Sequence, residues 1–355
     1  MSGKDTGKLS MEFKLAATGD ILMIGPLLMS AKQSNENNFA FESIFHNVAP
    51  LFKEADLVIG NLETPLAGRE AHYTQANPRT GFSMFNCPDE LASALKESGF
   101  HVLTTANNHC MDRGTKGLAR TLQVLDEHGL AHTGTYASDP GDENHLILDI
   151  KGIQVGIASY SKGTNKNPLP SDIRWMVNQI DPANHRKTAD HIRRLASKVD
   201  VVVVCLHIGK ECRHVPLTQS RRLVNLLLAS GAHIILGHHP HVIQPAFITK
   251  DNRFAIYSLG NFISTRLYRN PATNCGVIAQ LTVKKETDGK VTVESSFTPT
   301  WSTRLKTASG VKYRILQIHQ TLLNPEPGQS PSDRKLMRKV WKQIKPLLAL
   351  RRSSS

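Results

Sequence analysis

One local pattern recurs along the chain: a short apolar run rich in β-branched residues, then a polar cluster, then a stretch with helical periodicity. Continuous apolar runs of this length are typical of strands buried on both faces. Six such runs predict six strands, at residues 13–18, 57–60, 102–106, 201–206, 233–236 and 255–259.

Helices are predicted between the strands. Residues 117–128 and 221–230 place apolar side chains at helical spacing, and they are followed by Gly129 and Gly231. Glycine favours a helix end because it adopts left-handed backbone at little cost. Strands that alternate with helices predict an α/β fold on a mostly parallel sheet.

Every polar cluster lies just after a predicted strand. In open α/β sheets, ligands bind outside the carboxyl ends of the strands, so we expect these clusters to converge on one site. Their chemistry-bearing members are Asp20, Asn61, Glu63, Asn107, Asn108, His109, His207, His238, His239, His241 and Asn261.

The segment Gly237-His238-His239-Pro240-His241 gives the sharpest chemical signal. Three histidines in four residues lose solvation when buried together and gain little unless they share an ion. In an extended segment, His239 and His241 face one way, and His238 faces away or supports them from behind. The alternative is a disordered histidine-rich loop.

The other clusters also allow a structural interpretation. Asp20 after a glycine is either a metal ligand or a turn residue. Asn108 and His109 either supply a metal ligand and a proton donor or cap a helix, and His207 is either a ligand or a core histidine. The nearby Gly114 and Gly209 favour a site, because glycine permits close approach.

The 355 residues suffice for one large α/β domain or two small ones. We predict a main domain at 11–305, a helix and Pro-rich linker at 306–333, and a basic amphipathic helix or tail at 334–355. Alternating polarity across residues 280–300 predicts a hairpin at the edge of the sheet.

The formal charge is +13, and residues 331–355 contribute eight Lys or Arg against one acid. This balance favours an anionic substrate or acidic polymer as partner. The basic helix would either touch a membrane surface or pack on its own domain. Nucleic acid is a weaker prediction, since the tail has one aromatic residue, Trp341, and no recognition module.

The five cysteines form no C-x-x-C pair, which favours a reducing compartment. Neither a signal peptide nor a run of about 18 apolar residues is recognisable. We therefore expect a cytoplasmic protein, peripheral to the inner face of the membrane if the basic helix binds there.

Six motifs, in order, carry a family resemblance: G-D, N-L-E-x-P-L, N-N-H-x-x-D-x-G, H-x-G-x-E, G-H-H-P-H-V-x-Q-P and Y-S-L-G-N-F. Over about residues 13–264 the chain resembles the bacterial capsule-synthesis family (CapA, or PgsA of poly-γ-glutamate synthesis). That family resembles the calcineurin-like metallophosphoesterases, which implies a four-layer α/β/β/α sandwich around a site for one or two divalent ions, Mn²⁺, Fe or Zn²⁺.

The resemblance also implies roles for individual residues. Glu63 stands where phosphoesterases have the Asp that bridges two metals, and His109 matches their catalytic histidine. The implied metal ligands are Asp20, Glu63, Asn108, His207, His239 and His241. We assign catalysis to His109, Asn108 and Asp112, and substrate binding to Asn61, Arg113, Lys210, Glu211, His238 and Asn261.

One position departs from the phosphoesterase pattern. Leu22 stands where the first motif of those enzymes has a histidine. One metal site therefore lacks a ligand unless Glu211 or His238 replaces it.

Two functions follow. The first is a metal-dependent hydrolase, linked to poly-γ-glutamate or capsule synthesis, in which metal-activated water acts on a phosphoester or related bond. The alternative is a non-catalytic metal-binding component of an acidic-polymer synthesis or export complex.

Overall fold

A computed structural model describes residues 10–33 and 38–352. Residues 1–9 and 353–355 lie outside the described residues. They include the start of the chain, on which the signal-peptide prediction rests, and the end of the predicted tail. The strands are β1 (Met11–Ile21), β2 (Leu57–Leu62), β3 (Thr74–Ala76), β4 (Ser83–Phe85), β5 (Val102–Thr104), β6 (Ala131–Thr133), β7 (Leu146–Ile150), β8 (Ile153–Ser161), β9 (Val201–His207), β10 (Ile234–His238), β11 (Ile243–Ile248), β12 (Phe254–Leu259), β13 (Asn261–Ile263), β14 (Cys275–Lys285), β15 (Val291–Thr307), β16 (Gly310–Gln317) and β17 (Arg351–Arg352).

Nine α-helices and four short 3₁₀ helices connect these strands within the described part of the chain. The α-helices are α1 (Gly25–Ala31), α2 (Glu42–Phe45), α3 (Ala49–Lys53), α4 (Glu90–Ser98), α5 (Gly114–Glu127), α6 (Arg186–Ala196), α7 (Thr218–Ala229), α8 (Ile318–Leu323) and α9 (Pro331–Ile344). The 3₁₀ helices are Ser171–Met176, Leu267–Arg269, Pro271–Asn274 and Lys345–Leu348. No helix among the described residues has both the length and the apolar character needed to cross a bilayer.

The strands form two large mixed sheets and one small hairpin. The first sheet has the order β16-β15-β14-β1-β2-β5-β6, with β13 also paired to β1, and the second has the order β17-β11-β12-β10-β9-β8-β7. In each sheet the parallel strands form one block, and antiparallel strands lie beside that block; the two blocks together carry the six strands predicted from sequence. The expectation of a mostly parallel sheet therefore holds only for these blocks.

Alternation along the central strands creates the layers. In β9, Val201, Val203 and Cys205 join the core between the two sheets. Val202 and Val204 instead face α6 and α7 on the outer side. Because successive strand side chains point to opposite faces, a fully apolar strand serves both layers.

The first sheet follows the same rule. Leu57 and Ile59 of β2 face the central core, whereas Val58 belongs to an outer core with residues of α1 to α4. Two sheets covered by helices on their outer faces give four layers, so the predicted α/β/β/α sandwich is confirmed.

The predicted hairpin within 280–300 is present as β14 and β15, but it is not at the edge of the sheet. β16 pairs with β15 along eight residue pairs, from Thr300 with Gln317 to Thr307 with Gly310. The segment 306–333 thus contributes an edge strand where a helix and a linker were expected, and its helix, α8, occupies only Ile318–Leu323.

The basic C-terminal helix packs on its own domain. Met337, Val340, Trp341 and Ile344 of α9 are buried in the core between the sheets. The Asp333 carboxylate in the first turn accepts hydrogen bonds from three side chains, Trp301 Nε1 (3.1 Å), Thr303 Oγ1 (2.8 Å) and Gln329 Nε2 (2.8 Å). The apolar face is therefore used internally, and the basic face stays outside, with Lys335, Arg338, Lys339, Lys342 and Lys345 exposed.

Gly19 allows β1 to approach the turn between β12 and β13. A Cβ atom at this position would lie 1.9 Å from the carbonyl oxygen of Gly260. The next residue, Asp20, donates its backbone N–H to that oxygen at 3.0 Å and pairs in register with Asn261. The absence of a side chain at Gly19 thus positions an acidic residue at the strand end.

Gly19→Ala is expected to lower the free energy of unfolding by about 1–3 kcal/mol, because the backbone must shift to admit the methyl group. Urea denaturation measures this. Gly163→Ala is the matched control, since no described atom lies within 4 Å of its added methyl group. Equal stability of the two variants would contradict the argument.

Asp333→Ala is expected to destabilise the protein by about 2 kcal/mol, because Trp301, Thr303 and Gln329 lose a charged acceptor. Thermal unfolding followed by circular dichroism measures this. Lys335→Ala, at an exposed position of the same helix, should leave the midpoint nearly unchanged. A loss of the same size in both variants would mean that the Asp333 contacts do not anchor α9.

Candidate metal centre

Strand register brings the candidate residues together at the carboxyl ends of the parallel strands in both sheets. In the first sheet, Asp20 pairs in register with Asn61 and with Asn261. In the second, His238 of β10 pairs with His207 of β9. The strand ends therefore converge because parallel neighbours finish at the same level.

Two overlapping sets of side chains can each hold a cation. Asp20, Glu63 and His207 form one set, and Glu63, His239 and His241 form the other, with the ligand atoms of each set within 4.8 Å of one another. Glu63 belongs to both. The two sets therefore share one carboxylate.

Buried atoms without partners test whether a cation fits. The Glu63 side chain is fully buried, yet neither carboxylate oxygen has a hydrogen-bond partner among the described residues, and the same holds for His239 Nδ1. An unpaired buried carboxylate is costly. The mixture of carboxylate oxygen and imidazole nitrogen suits Mn²⁺, Fe and Zn²⁺, so the residues fit a divalent metal.

Two of the buried histidines, His207 and His239, are held neutral. Burial lowers the pKa of His207 to about 3, and burial with the neighbouring His207 lowers the pKa of His239 to about 3. Neutral imidazole has the lone pair that a metal needs. Both residues are therefore ready to act as ligands at neutral pH.

Protons balance the charge where no cation is present. Burial and the charge of Asp20 raise the pKa of Glu63 to about 8. For His241, burial is outweighed by Glu63 and Asp20, which raise its pKa to about 10. For Asp20, burial is outweighed by its hydrogen bond with His241 and by nearby histidines, which hold its pKa below its ordinary value. Metal binding must then displace protons from Glu63 and His241.

The histidine segment adopts a different backbone from the one predicted. His239 and His241 have positive φ values, 93° and 57°, so they lie in a turn and not in an extended segment. Their rings still approach the same Glu63 carboxylate. His238 does not join the cluster: it is buried, and its Nε2 donates to the Thr18 carbonyl oxygen at 3.2 Å, which links β10 to β1.

A histidine–carboxylate pair lies beside the candidate ligands. His109 Nδ1 is 2.7 Å from Asp112 Oδ2, and the same oxygen accepts the Phe85 backbone N–H at 2.7 Å. Burial opposes the charged form of His109, but Asp112 outweighs it and raises the pKa of the imidazole above its ordinary value. The pair is joined to the metal set through Asn108, whose Oδ1 lies 2.7 Å from His207 Nε2.

Two asparagines predicted to bind substrate make hydrogen bonds to members of the cluster. Asn61 Nδ2 donates to Asp20 Oδ1 at 2.8 Å, and Asn261 Oδ1 lies 2.9 Å from His241 Nδ1. Both side chains are buried. Asn61 orients the Asp20 carboxylate and Asn261 orients the His241 imidazole, a role that hydrogen-bonding neighbours of metal-binding groups commonly have.

The three charged residues predicted to bind substrate lie outside the cluster. Arg113 makes two hydrogen bonds of 2.7 Å to the Glu70 carboxylate, which occupies its guanidinium. Glu211 accepts a hydrogen bond from the Tyr268 hydroxyl, and Lys210 is exposed. Leu22 is buried and donates its backbone N–H to Ile263, so it supplies no ligand.

Sequence reasoning missed the segment that follows β8. Asn167 Nδ2 donates to Asp112 Oδ1 at 3.3 Å, and Asn165 contacts both Asn108 and His109. The signal was available, since the apolar run of β8 is followed by the polar stretch Gly163-Thr164-Asn165-Lys166-Asn167. It has the same form as the six strand ends that were recognised.

Comparison with known proteins gives the family. The model of "Bacterial capsule synthesis protein PGA_cap" matches residues 14–266. The "Capsule biosynthesis protein CapA" of Bacillus anthracis is 30% identical over 252 residues, which are 68% of this chain and 58% of that protein. The "PGA biosynthesis protein CapA" of Bacillus subtilis is 28% identical over 262 residues, 71% of this chain and 64% of that protein. The match thus spans less than two thirds of either relative.

Solved structures with a similar fold include two phosphoesterases. The calcineurin-like phosphoesterase YfkN from Bacillus subtilis is 13% identical, with a TM-score of 0.48 over 95% of this chain and 98% of that chain. A phosphatase from Mycoplasma pneumoniae is 16% identical, with a TM-score of 0.46 over 81% and 94%. Neither likeness bears on activity. The match over residues 14–266 decides the family, and the chain belongs to the bacterial capsule synthesis (PGA_cap) family.

Proposed function

We propose that the chain is a metal-dependent hydrolase that acts on a phosphoester or related bond in capsule or poly-γ-glutamate synthesis. The observation that carries this proposal is Glu63, a fully buried carboxylate shared by two ligand sets. Among the described residues no hydrogen bond reaches either of its oxygens, and the nearest imidazole nitrogen, His207 Nε2, lies 3.3 Å from Oε1. A catalytic pair, His109 and Asp112, lies next to that cluster.

The residues that would hold one or two ions are Asp20, Glu63, Asn108, His207, His239 and His241. When bound, a divalent cation supplies Lewis-acid polarisation of a phosphoryl oxygen and acidifies water at neutral pH. The chain supplies the frame: Asn61 and Asn261 fix two of the ligands through their hydrogen bonds. Such outer contacts set the orientation of a carboxylate or imidazole before the ion arrives.

His109 would act as general acid. Asp112 fixes its Nδ1, so Nε2 is the nitrogen left to face a substrate. The raised pKa favours the protonated imidazole, whose Nε2 proton can pass to a leaving oxygen. Phe85, whose ring centroid lies 4.7 Å from that of His109, limits rotation of the imidazole.

The proposed substrate is anionic, and an acidic polymer is the wider partner class. Support comes from the formal charge of +13 and from the names of the relatives, which concern capsule and PGA biosynthesis. Contact of the basic face of α9 with a membrane surface remains part of the proposal. We include a cytoplasmic location because the cysteines show no disulfide-like spacing.

A second candidate is a non-catalytic metal-binding component of a polymer-assembly complex. Leu22 favours it, because a buried leucine stands where phosphoesterases have a ligand. The His109–Asp112 pair opposes it, because a purely structural metal site needs no positioned proton donor.

Metal content by mass spectrometry, on protein purified without a histidine tag, tests the proposal together with turnover of bis(p-nitrophenyl) phosphate and p-nitrophenyl phosphate with added Mn²⁺. Bound metal with turnover supports a hydrolase. Bound metal without turnover favours the second candidate. Absence of metal even after Mn²⁺ addition would overturn both.

Mn²⁺ affinity is expected to rise with pH from 6 to 8, by up to about tenfold per unit for each proton displaced. The sign follows from the raised pKa values of Glu63, about 8, and His241, about 10, since both must lose a proton to bind the ion. Isothermal titration calorimetry measures this. Glu63→Gln should weaken binding at least about a hundredfold, while Glu127→Gln, exposed on α5, should match the wild type. A pH-independent affinity would contradict the assignment.

His109→Ala is expected to lower kcat by about 10²–10⁴-fold, because the general acid is lost, while bound metal stays unchanged. Steady-state kinetics and metal analysis on the same preparation separate the two effects. His72→Ala, at an exposed position, serves as control. Loss of metal together with activity would instead make His109 a ligand or a structural support.

A further inference from the structure

Asn165 lies in the segment after β8 that the sequence interpretation left out. Its side chain is half-buried and joins two residues of the candidate site. Asn108 Nδ2 donates to Asn165 Oδ1 at 3.2 Å. Asn165 Nδ2 lies 3.5 Å from His109 Nε2, the nitrogen that the proposed reaction uses.

These contacts form a continuous row of polar side chains. His207 Nε2 lies 2.7 Å from Asn108 Oδ1, and Asn108 donates through its amide to Asn165 Oδ1. The Asn165 amide lies 3.5 Å from His109 Nε2, and His109 Nδ1 lies 2.7 Å from Asp112 Oδ2. Asn165 is therefore the side chain that links Asn108 to the His109 imidazole.

Hydrogen bonds hold the segment 164–167 in place around Asn165. Thr164 Oγ1 donates to the Asn167 carbonyl oxygen at 2.8 Å, and Asn167 Oδ1 accepts from Asn77 Nδ2 at 2.7 Å. Asn165 itself has φ of 50°, in the left-handed region that asparagine tolerates better than most residues. The backbone strain is maintained by contacts on both sides, which is typical of a functional position.

We propose that Asn165 is a positioning residue for His109. Asp112 fixes the imidazole at Nδ1, and the Asn165 side chain, 3.5 Å from Nε2, limits rotation at the other end of the ring. The ring is thus kept at the orientation needed for proton transfer to the leaving oxygen. The inference deepens the proposed function and rests on it. Small errors in the geometry of a proton donor lower the rate without weakening substrate binding.

The test is a double-mutant cycle of Asn165→Gly and His109→Ala, with Mn²⁺-loaded protein and bis(p-nitrophenyl) phosphate. Glycine removes the side chain without adding strain at positive φ. Lys166→Gly is the matched control, because Lys166 is the exposed neighbour with φ of 60°. Metal content is measured for every variant.

The proposal predicts that Asn165→Gly lowers kcat by about tenfold or more, with KM changed less than about threefold and metal content unchanged. In the His109→Ala background the same substitution should change kcat less than about twofold, because its effect passes through His109. Lys166→Gly should resemble the wild type. A fall of equal size in both backgrounds, a change confined to KM, or loss of metal would overturn the role.

An NMR measurement that requires no turnover tests this inference separately from the proposed function. In Zn²⁺-loaded protein labelled with ¹⁵N-histidine, the His109 signal, assigned by its loss in His109→Ala, should report a single environment in which Nδ1 is protonated. Asn165→Gly should shift that signal or make it heterogeneous, and Lys166→Gly should not. An unchanged signal refutes the positioning role even if the protein is active. An inactive wild type with the expected shift refutes the hydrolase and leaves the contact standing.

Discussion

The burial of two carboxylates at the meeting point of two sheets is the constraint on which the rest of the structure depends. Asp20 and Glu63 have no solvent exposure, and each lies at the end of a strand of the first sheet. On the side of the second sheet, three histidines approach these carboxylates: His207, His239 and His241. A carboxylate in such a place is tolerable only when protons, hydrogen bonds or a cation balance its charge. Of the two carboxylates, Asp20 alone accepts hydrogen bonds from described side chains. The charge of Glu63 must therefore be balanced by a proton or by an ion.

The strands could be predicted because they depend on local sequence, and the convergence of their ends follows from the rule that parallel neighbours finish at the same level. A run such as Val201–His207 is apolar at every position before the histidine, and burial on both faces explains that composition. The edge strand β16 could not be predicted in the same way. Its first residues are exposed and its pairing partner is β15, so its identity depends on a contact that the local pattern does not encode.

The candidate ligands could be named from sequence, but the direction of the neighbouring side chains could not. His238 and His239 are neighbours with the same chemistry, and the ring that turns to Glu63 is that of His239, whose φ is positive. Asn61 and Arg113 were both plausible contacts for a substrate. In the folded chain, Asn61 donates a hydrogen bond to Asp20 and Arg113 donates one to Glu70, and both partners are distant in sequence. Pairings of this kind arise from tertiary packing, which motif spacing does not report.

The end of the described chain has a protective role that its composition conceals. Charge and proline content suggest a dispensable tail, yet α9 closes one side of the core and β17 pairs with β11 at the border of the second sheet. A chain cut before α9 would leave apolar side chains and a row of backbone donors and acceptors uncovered. Uncovered strand borders recruit other chains, so such a truncation would tend to aggregate during synthesis instead of merely losing an appendage.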